Sequence, residues 1–476
     1  MERHRRGSFA EKKNKDQVDD FCAVNVLSLA EELKEQLATG NSLANVAGGS
    51  ITCLIIIPEI KRLIRNVNLE MYNPHHVAVG PYHLTKNPDL AMYAEKIRSL
   101  EALLSAASGG TPLEVYVEEL ERLEGHARSC YAHSFDNITS REFVRTRKSR
   151  ARRCRASQCY FLSMAHHSGT PLVSASRSVE AVAVARDVFY LAENQIPFFV
   201  LDKIHQLTNS GGSVSAVETT MAVLVRHLLR AERYSIAAPQ ASQPGNLLHL
   251  VHMHLMSNFV PSATGYETIG KKVGLWRSAI EYYFTGVKFR KRPLDPDGAH
   301  CILDVKLDSS GPTLEVPTLD INAGTLVLLR NLIALEQRNH NMLGSHVTAY
   351  CIFLSHVACT ASDVMPLSRI GILDGYDLSN PGEIARSFAE LCTGIMFDPD
   401  DLRGTWQVLE KGYRSSLRRW KAWLWRNYLF WMAWLMQKYF TNPWAAIGLI
   451  AGTIGLACTV LQAVYSVMSY KQQGAN

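Results

Sequence analysis

The spacing of apolar positions along the 476-residue chain predicts a protein built mostly of α-helices. Apolar side chains recur every three or four positions over several turns in many segments, the period of an amphipathic helix. Helices are predicted over 24–40, 88–108, 112–133, 177–207, 216–236, 246–258, 323–340, 346–361 and 380–395. No internal repeat is visible.

Three short segments have the pattern of β-strands instead. Residues 51–58 (ITCLIIIP) are rich in β-branched side chains and end at a proline, which predicts a buried strand or an extended segment. Residues 301–308 and 313–321 alternate apolar and polar positions on either side of a Ser-Ser-Gly-Pro turn, which predicts a hairpin within 301–321. The predicted fold class is therefore mainly α with a few short β-strands.

The longest apolar segment lies near the C-terminus. Lys438 is followed by 32 residues without a charge, Tyr439 to Tyr470. About 20 apolar residues in a helix cover the roughly 30 Å of bilayer hydrocarbon. The segment predicts a single transmembrane helix over 442–470, behind a soluble helical domain. The alternative is a buried helix of a large soluble domain.

An aromatic and basic segment, 411–441, comes just before this predicted span. Six of the eight tryptophans lie between residues 420 and 444, among several Lys and Arg residues. Indole and cationic groups favour the lipid headgroup layer, so a helix along the membrane surface is predicted at about 417–437. The alternative is an ordinary packed helix. The residues predicted to lie at the membrane interface are Trp420, Trp423, Trp425, Trp431, Trp434, Lys438, Pro443, Trp444, Tyr465 and Tyr470.

The charges that flank the predicted span indicate its orientation. Arg426 and Lys438 precede it, whereas Lys471 alone follows it. The positive-inside rule then places the N-terminal domain in the cytosol, in a single-pass protein with the plasma membrane as a candidate location. The opposite orientation stays open. No signal peptide is expected, because no apolar core follows the charged N-terminus.

Composition completes the predicted domain organisation. The chain divides into a tail over 1–20, an N-terminal helical lobe over 21–207 with an atypical basic segment over 141–165, a linker over 208–215, a C-terminal helical lobe over 216–410, the juxtamembrane segment and the span. The ten cysteines are scattered without a CxxC pair, so a zinc site is not expected.

The net charge of +6 is concentrated in two basic clusters, 141–155 and 411–438. One function hypothesis makes 141–155 a nuclear-localisation or nucleic-acid patch. We favour a solvated loop, because no aromatic residue interleaves the charges between Arg145 and Tyr160. No nucleic-acid partner is therefore expected.

Glu193, Asn194 and Gln195 form the most conspicuous polar group. An enzyme of unknown chemistry could use Glu193 as a general acid or base. The structural interpretation, which we favour, is that the three side chains satisfy backbone groups freed where a helix breaks before Pro197. Glu336 and Gln337 pose the same choice, and Arg330 is not expected to pair with Glu336 because the two lie six positions apart.

The histidines of the LLHLVHMHL segment invite a second enzyme hypothesis. His249 and His252 share a helical face, whereas His254 does not, and no acidic residue accompanies them. A metal site is not expected, nor is any cofactor. Asp320 and Asp363 lie beside turns, where a capping role is expected. We predict no catalytic, cofactor-binding or metal-binding set of residues.

Six phrases in order resemble a plant family of membrane proteins known as domain of unknown function 247. They lie at 57–83, 92–104, 191–201, 314–337, 362–373 and 439–452. The residues of these phrases to which the resemblance assigns a structural role are Gly80, Pro81, Glu193, Asn194, Gln195, Pro197, Phe198, Phe199, Arg330, Asn331, Glu336, Gln337 and Asp363.

This resemblance implies a membrane-anchored, non-enzymatic recognition or signalling protein, with the lipid bilayer and an unidentified protein as partners. Members of the family include candidate determinants of self-incompatibility in grasses, which implies a role in pollen–stigma recognition. Two features depart from the family: residues 145–164 are basic where relatives are apolar, and Leu84 and Ala192 replace His and Leu. The basic stretch is either a divergent allele or a shifted reading frame.

Overall fold

A computed structural model describes a large part of the chain. The described residues are 55–66, 68–84, 105, 111–133, 179–208, 215–237, 243–256, 274–308, 312–375, 379–395, 402–414, 427–428, 451–452, 454–463 and 465–466. The predicted tail, the basic segment over 141–165, the predicted helix over 24–40 and nearly all of the predicted helix over 88–108 lie outside them.

The described part is mainly α-helical with a few short strands, as predicted. Its first half contains α1 (Arg62–Arg65), a 3₁₀ turn (Leu69–Met71), α2 (Pro81–Leu84), α3 (Leu113–Ser129), α4 (Val179–Phe189), α5 (Phe198–Thr208), α6 (Ser215–Ala231), α7 (Leu247–Met256) and α8 (Ala279–Phe284). Its second half contains α9 (Ala323–Arg338), α10 (His340–Leu343), α11 (His346–Val357), α12 (Ala361–Ile370), α13 (Pro381–Leu391) and α14 (Arg403–Arg414).

Within the described residues, five short strands form two small sheets. They are β1 (Lys288–Arg292), β2 (Lys306–Leu307), β3 (Thr313–Pro317), β4 (Leu319–Asp320) and β5 (Leu373–Asp374). In the first sheet β3 lies between β1, to which it is parallel, and β2, to which it is antiparallel. The β2–β3 pair confirms the predicted hairpin, although β2 is only two residues long. In the second sheet β4 and β5 are parallel.

Helix α9 lies at the centre of the main hydrophobic core. Ten of its 16 residues are buried, and it contacts α7, α11 and α13. Leu328, Leu329 and Leu332 are fully buried, and each contributes about 2 kcal/mol by leaving water. The same core contains Val184 and Leu201, from the N-terminal side of the predicted linker over 208–215, together with residues from its C-terminal side.

The described residues between Ile55 and Leu84, hereafter the strap, contain α1, the 3₁₀ turn and α2, and the rest of them belong to no helix. Val77 and Val79 are buried in the main core, and Ile57 is buried in a small cluster with Tyr82 and Tyr131. The strap belongs to none of the five strands; its only β-contact in the described residues is a single bridge between Ile57 and Tyr131. Its backbone polar groups therefore need other partners, because unpaired buried amides are costly.

The predicted membrane span lies mostly outside the described residues, as do the interface residues other than Tyr465. Within 442–470, the structure describes an apolar helix over Ile454–Ala463 and four neighbouring residues. Among the residues that the structure describes, no single helix is long and apolar enough to cross a bilayer. Helices α11 and α12 reach that length and composition only as a pair bent by 110°.

Candidate functional site

The segment Leu191–Pro197 connects α4 to α5 and carries the polar trio. The sequence predicts helical character throughout 177–207, whereas the structure has two helices, with α4 ending at Phe189 and α5 beginning at Phe198. Pro197 lies just before α5, where its missing N–H costs no helical hydrogen bond. Glu193, Asn194 and Gln195 are each only 1% exposed. This loop is therefore an interior part of the protein.

Asn194 joins the loop to the strap and to the end of α4 through its side-chain amide. Its Oδ1 accepts hydrogen bonds from the backbone N–H groups of Val79 at 2.6 Å and Gly80 at 3.2 Å. Its Nδ2 donates to the carbonyl oxygens of Val77 at 2.8 Å and Asp187 at 2.9 Å. Because an asparagine amide offers two donors and one acceptor oxygen, this side chain has no capacity left for a ligand.

Gln195 connects the end of α4 to the start of α7. Its Nε2 donates to the carbonyl oxygens of Val188 at 2.7 Å and Leu191 at 2.9 Å. Its Oε1 accepts from the backbone N–H of Leu248 at 3.0 Å. The Val188 carbonyl and the Leu248 N–H are among the groups that helix ends leave without an intrahelical partner. For Gln195 this is the arrangement that the structural interpretation predicts, whereas Asn194 binds mainly the strap.

Glu193 forms an ion pair with Arg65 of α1, in the strap. The same carboxylate accepts a hydrogen bond from the backbone N–H of Ile60 at 2.7 Å, and His83 Nε2 lies 3.7 Å away. Both carboxylate oxygens face groups of the protein itself. A general acid or base has to reach a substrate proton. The geometry therefore favours a structural role for Glu193 over the enzyme hypothesis.

The strap approaches this loop so closely that only glycine fits at position 80. A Cβ at Gly80 would lie 2.7 Å from the carbonyl oxygen of Glu193 and 2.8 Å from that of Gln195. Both neighbours are backbone atoms, which cannot rotate away as a side chain can. Pro81 follows directly, is buried and begins α2. Gly80-Pro81 therefore marks the point of closest backbone contact.

Asp187 also binds the strap, although the sequence analysis did not single it out. Its Oδ2 accepts from the backbone N–H groups of His76 at 2.5 Å and Val77 at 2.9 Å. The side chain is 4% exposed. In the sequence, Asp187 is an acidic residue near the end of the mostly apolar helix α4. A charged residue is rarely buried in such a helix without a partner, so this position could have indicated a buried contact.

Helix α9 contributes Arg330 and Asn331 to the same contact. Asn331 Oδ1 accepts from Ala192 N–H at 2.9 Å, and its Nδ2 donates to the carbonyl oxygens of Met71 and Val327. Arg330 donates to the Tyr72 hydroxyl and to two carbonyl oxygens at the end of α13. A cation there also interacts favourably with the C-terminal helix dipole.

Burial raises the pKa of Tyr72, and Arg330 opposes that shift. The phenol therefore stays protonated at neutral pH.

Arg330 and Glu336 have different partners, consistent with the expectation that they do not pair.

Asn339 holds the beginning of the strap and was also missed. Its Oδ1 accepts from Ile56 N–H at 2.7 Å, while its Nδ2 donates to the Ile56 carbonyl at 2.9 Å. The side-chain amide thus pairs with a backbone amide as a neighbouring strand would. An asparagine directly after a long apolar helix suggests a C-terminal cap in the sequence, not a partner 283 residues away.

Glu336 belongs to α9 and is completely buried, with its carboxylate at the N-terminus of α11. Its Oε1 lies 2.9 Å from both His252 Nε2 and Val347 N, while its Oε2 accepts from Thr348 N at 2.8 Å and Thr348 Oγ1 at 2.7 Å. A carboxylate is favoured at a helix N-terminus, where backbone N–H groups lack partners. Gln337 is the half-buried neighbour of this group.

The three histidines of α7 have three different partners. His249 Nδ1 accepts from Gly245 N–H at 2.9 Å, His252 contacts Glu336, and His254 Nδ1 lies 2.9 Å from the Leu250 carbonyl oxygen. Burial lowers the pKa of His249 to about 3, with a smaller effect from His252, and burial also lowers the pKa of His254. The described residues contain no group of three or more His, Cys, Asp or Glu side chains that could hold a metal ion.

The remaining residues of the resemblance lie at helix ends or in apolar contacts. Asp363 Oδ1 accepts from Ile280 N–H at 3.0 Å, and its Oδ2 accepts from Thr360 Oγ1 at 2.6 Å, so Asp363 connects the starts of α8 and α12. Phe198 is part of the main core. The ring of Phe199 stacks on that of His126, with centroids 4.4 Å apart.

A family model matches the part of the chain that contains this network of buried polar side chains. The family model DUF247, described as a plant protein of unknown function, matches residues 57–458. This range contains nearly all of the strap, the loop between α4 and α5, and α9. No curated protein and no solved structure matches the chain significantly. Because the family model covers most of its length, the chain belongs to the plant family DUF247.

Proposed function

We propose that this protein is a membrane-attached recognition or signalling protein that performs no catalysis itself. The main support for membrane attachment is the helix over Ile454–Ala463. Its large apolar side chains Ile454, Leu456, Val460 and Leu461 are all more than half exposed. Exposed apolar surface of this kind indicates contact with a membrane or another protein.

The surrounding sequence favours a membrane as the environment of this helix. The helix lies inside the uncharged stretch from Tyr439 to Tyr470, and the segment before it combines tryptophans with basic residues. A hydrocarbon layer accepts a helix that is apolar on every side, whereas a water-soluble domain would need to cover it. A single span over 442–470 is the form of attachment that we propose.

The buried network supports the non-catalytic part of the proposal. Glu193 contacts the strap with both carboxylate oxygens, and each histidine of α7 has a ring nitrogen within hydrogen-bond distance of another group of the protein. A recognition role rests on the family resemblance, and pollen–stigma recognition is its narrower form. Proximity labelling in plant tissue, with the full chain as bait, would identify the protein partner.

Removing the uncharged C-terminal segment is expected to release the protein from membranes. The full chain should stay in the membrane fraction after alkaline carbonate extraction, because transmembrane helices resist it. A chain that ends at Lys438 should become soluble, whereas one that ends at Tyr470, lacking only the last six residues, should stay. Extraction of the full chain, or retention of the chain that ends at Lys438, would refute the proposed span.

The orientation can be read from Asn137, in the only N-glycosylation sequence of the chain. Placement of the N-terminal part in the cytosol, as the flanking charges favour, predicts that Asn137 carries no glycan. A gel shift on treatment with an endoglycosidase would place this part outside the cytosol instead.

A further inference from the structure

Helix α14 is fixed to the residues that precede α8. Trp406 Nε1 donates to the Leu275 carbonyl at 3.5 Å, and Arg277 Nη2 lies 3.4 Å from Glu410 Oε1. The Arg277 guanidinium also lies 4.6 Å from the centre of the Tyr413 ring, a cation–π contact. Leu409 is buried in the main core. One side of α14 is thus held against the protein, which leaves the other side as surface.

Glu410 is the shared acceptor of this contact. Arg414 Nε donates to the same oxygen, at 2.8 Å, that Arg277 approaches. Burial opposes ionisation, but the hydrogen bonds from Arg414 and Arg277 hold the pKa of Glu410 below its usual value. The carboxylate is therefore charged at neutral pH and keeps α14 in position. Glu410 is also the last acidic residue of the chain.

The outward side of α14 combines apolar and cationic groups. Val408 is 57% exposed, and Lys411, three positions further along the helix, is exposed as well. Eight Lys and Arg residues and no Asp or Glu follow Glu410. Exposed apolar side chains beside cations suit the boundary between lipid headgroups and acyl chains. The charge is complementary to anionic lipids.

We propose that this face, formed by Val408, Lys411 and Arg414, rests on anionic lipid headgroups. The inference depends on the membrane attachment proposed above and adds the side of the protein that faces the bilayer. Helix α14 overlaps the start of the basic and aromatic segment before the predicted span, so along the sequence this face is the described part of the helical domain nearest to that segment. The contact between Arg277 and Glu410 then sets the orientation of the helical domain relative to the bilayer.

Photocross-linking to lipid tests this contact in the full chain. A benzophenone-bearing amino acid would replace Val408, with the same replacement at Leu69, 51% exposed in the strap, as control. The protein would be reconstituted in vesicles with 30% phosphatidylserine or with phosphatidylcholine alone. We expect lipid cross-linking at position 408 to exceed that at position 69 by about fivefold or more, and to fall in phosphatidylcholine.

Charge reversal supplies a second measurement. Lys411→Glu is expected to lower lipid cross-linking at position 408 about fivefold or more, because each cation near an anionic surface contributes about that factor. Lys288→Glu, the same change at an exposed lysine of β1, should alter it by less than about twofold. A Lys411→Glu chain that cross-links as the unchanged chain does would refute the proposed contact with anionic headgroups.

The two proposals fail in different ways. Equal cross-linking at positions 408 and 69, in a chain that resists alkaline extraction, would overturn the lipid-facing surface and leave the membrane attachment intact. A chain that alkali removes from the vesicles would overturn the attachment and the inference with it. Greater labelling at 408 in both lipid mixtures, insensitive to Lys411→Glu, would overturn the anionic specificity.

Discussion

Gly80→Ala is expected to destabilise the protein by about 3 kcal/mol. The added Cβ would lie closer than 3 Å to the carbonyl oxygens of Glu193 and Gln195, so the strap or the loop has to move. Such a movement also stretches the hydrogen bonds from Val79 and Gly80 to Asn194. The measurement is the urea concentration at which half of the purified protein is unfolded, with circular dichroism as the signal.

Gly125→Ala is the matched control for this substitution. Gly125 is exposed within α3, and a Cβ there would have no atom within 4 Å. Alanine is the better helix former, so we expect a gain of about 0.5–1 kcal/mol. If Gly80→Ala unfolded at the same urea concentration as Gly125→Ala, the close contact between strap and loop would not exist in solution.

Glu336→Ala is expected to cost at least about 3 kcal/mol, because it removes the buried acceptor of four groups. The N–H groups of Val347 and Thr348 would lose their partner at the start of α11, and His252 would lose its own. Glu336→Gln keeps the size of the side chain but turns one acceptor into a donor that faces other donors. Its cost should be smaller, about 2 kcal/mol.

Urea unfolding again measures both variants, and Glu118→Gln provides the control. Glu118 is exposed on α3, so the loss of its charge should change stability by less than about 0.5 kcal/mol. An unchanged midpoint for Glu336→Gln would mean that its carboxylate does not bind the N-terminus of α11.

The sequence was a good guide to features that depend on neighbouring residues. Apolar periodicity predicted α9 over 323–340, where the structure has Ala323–Arg338, and the alternating strands predicted the β2–β3 hairpin. The trio before Pro197 pointed to backbone groups left by a helix break, and Gln195 binds such groups. Each of these predictions rests on a pattern of residues that spans no more than about 20 consecutive positions.

Features that depend on distant contacts could not be predicted in this way. Asn339 pairs with Ile56 across 283 positions, and no local pattern names that partner. Strand β1 reads KFRKR, whose charges hide its strand character; only its parallel pairing with β3 reveals it. Side chains distant in sequence, such as Asn194 and Asn339, bind backbone groups of the strap, and no local pattern reveals these contacts.

The central claim is that buried polar side chains of the family phrases hold the strap on the helices. Hydrogen exchange of Asn194→Ala tests it most directly, because Asn194 accepts from the amides of Val79 and Gly80. We predict that these two amides exchange about tenfold faster or more, while the amides of α9 keep their protection. Unchanged exchange at Val79 and Gly80 in this variant would contradict the claim.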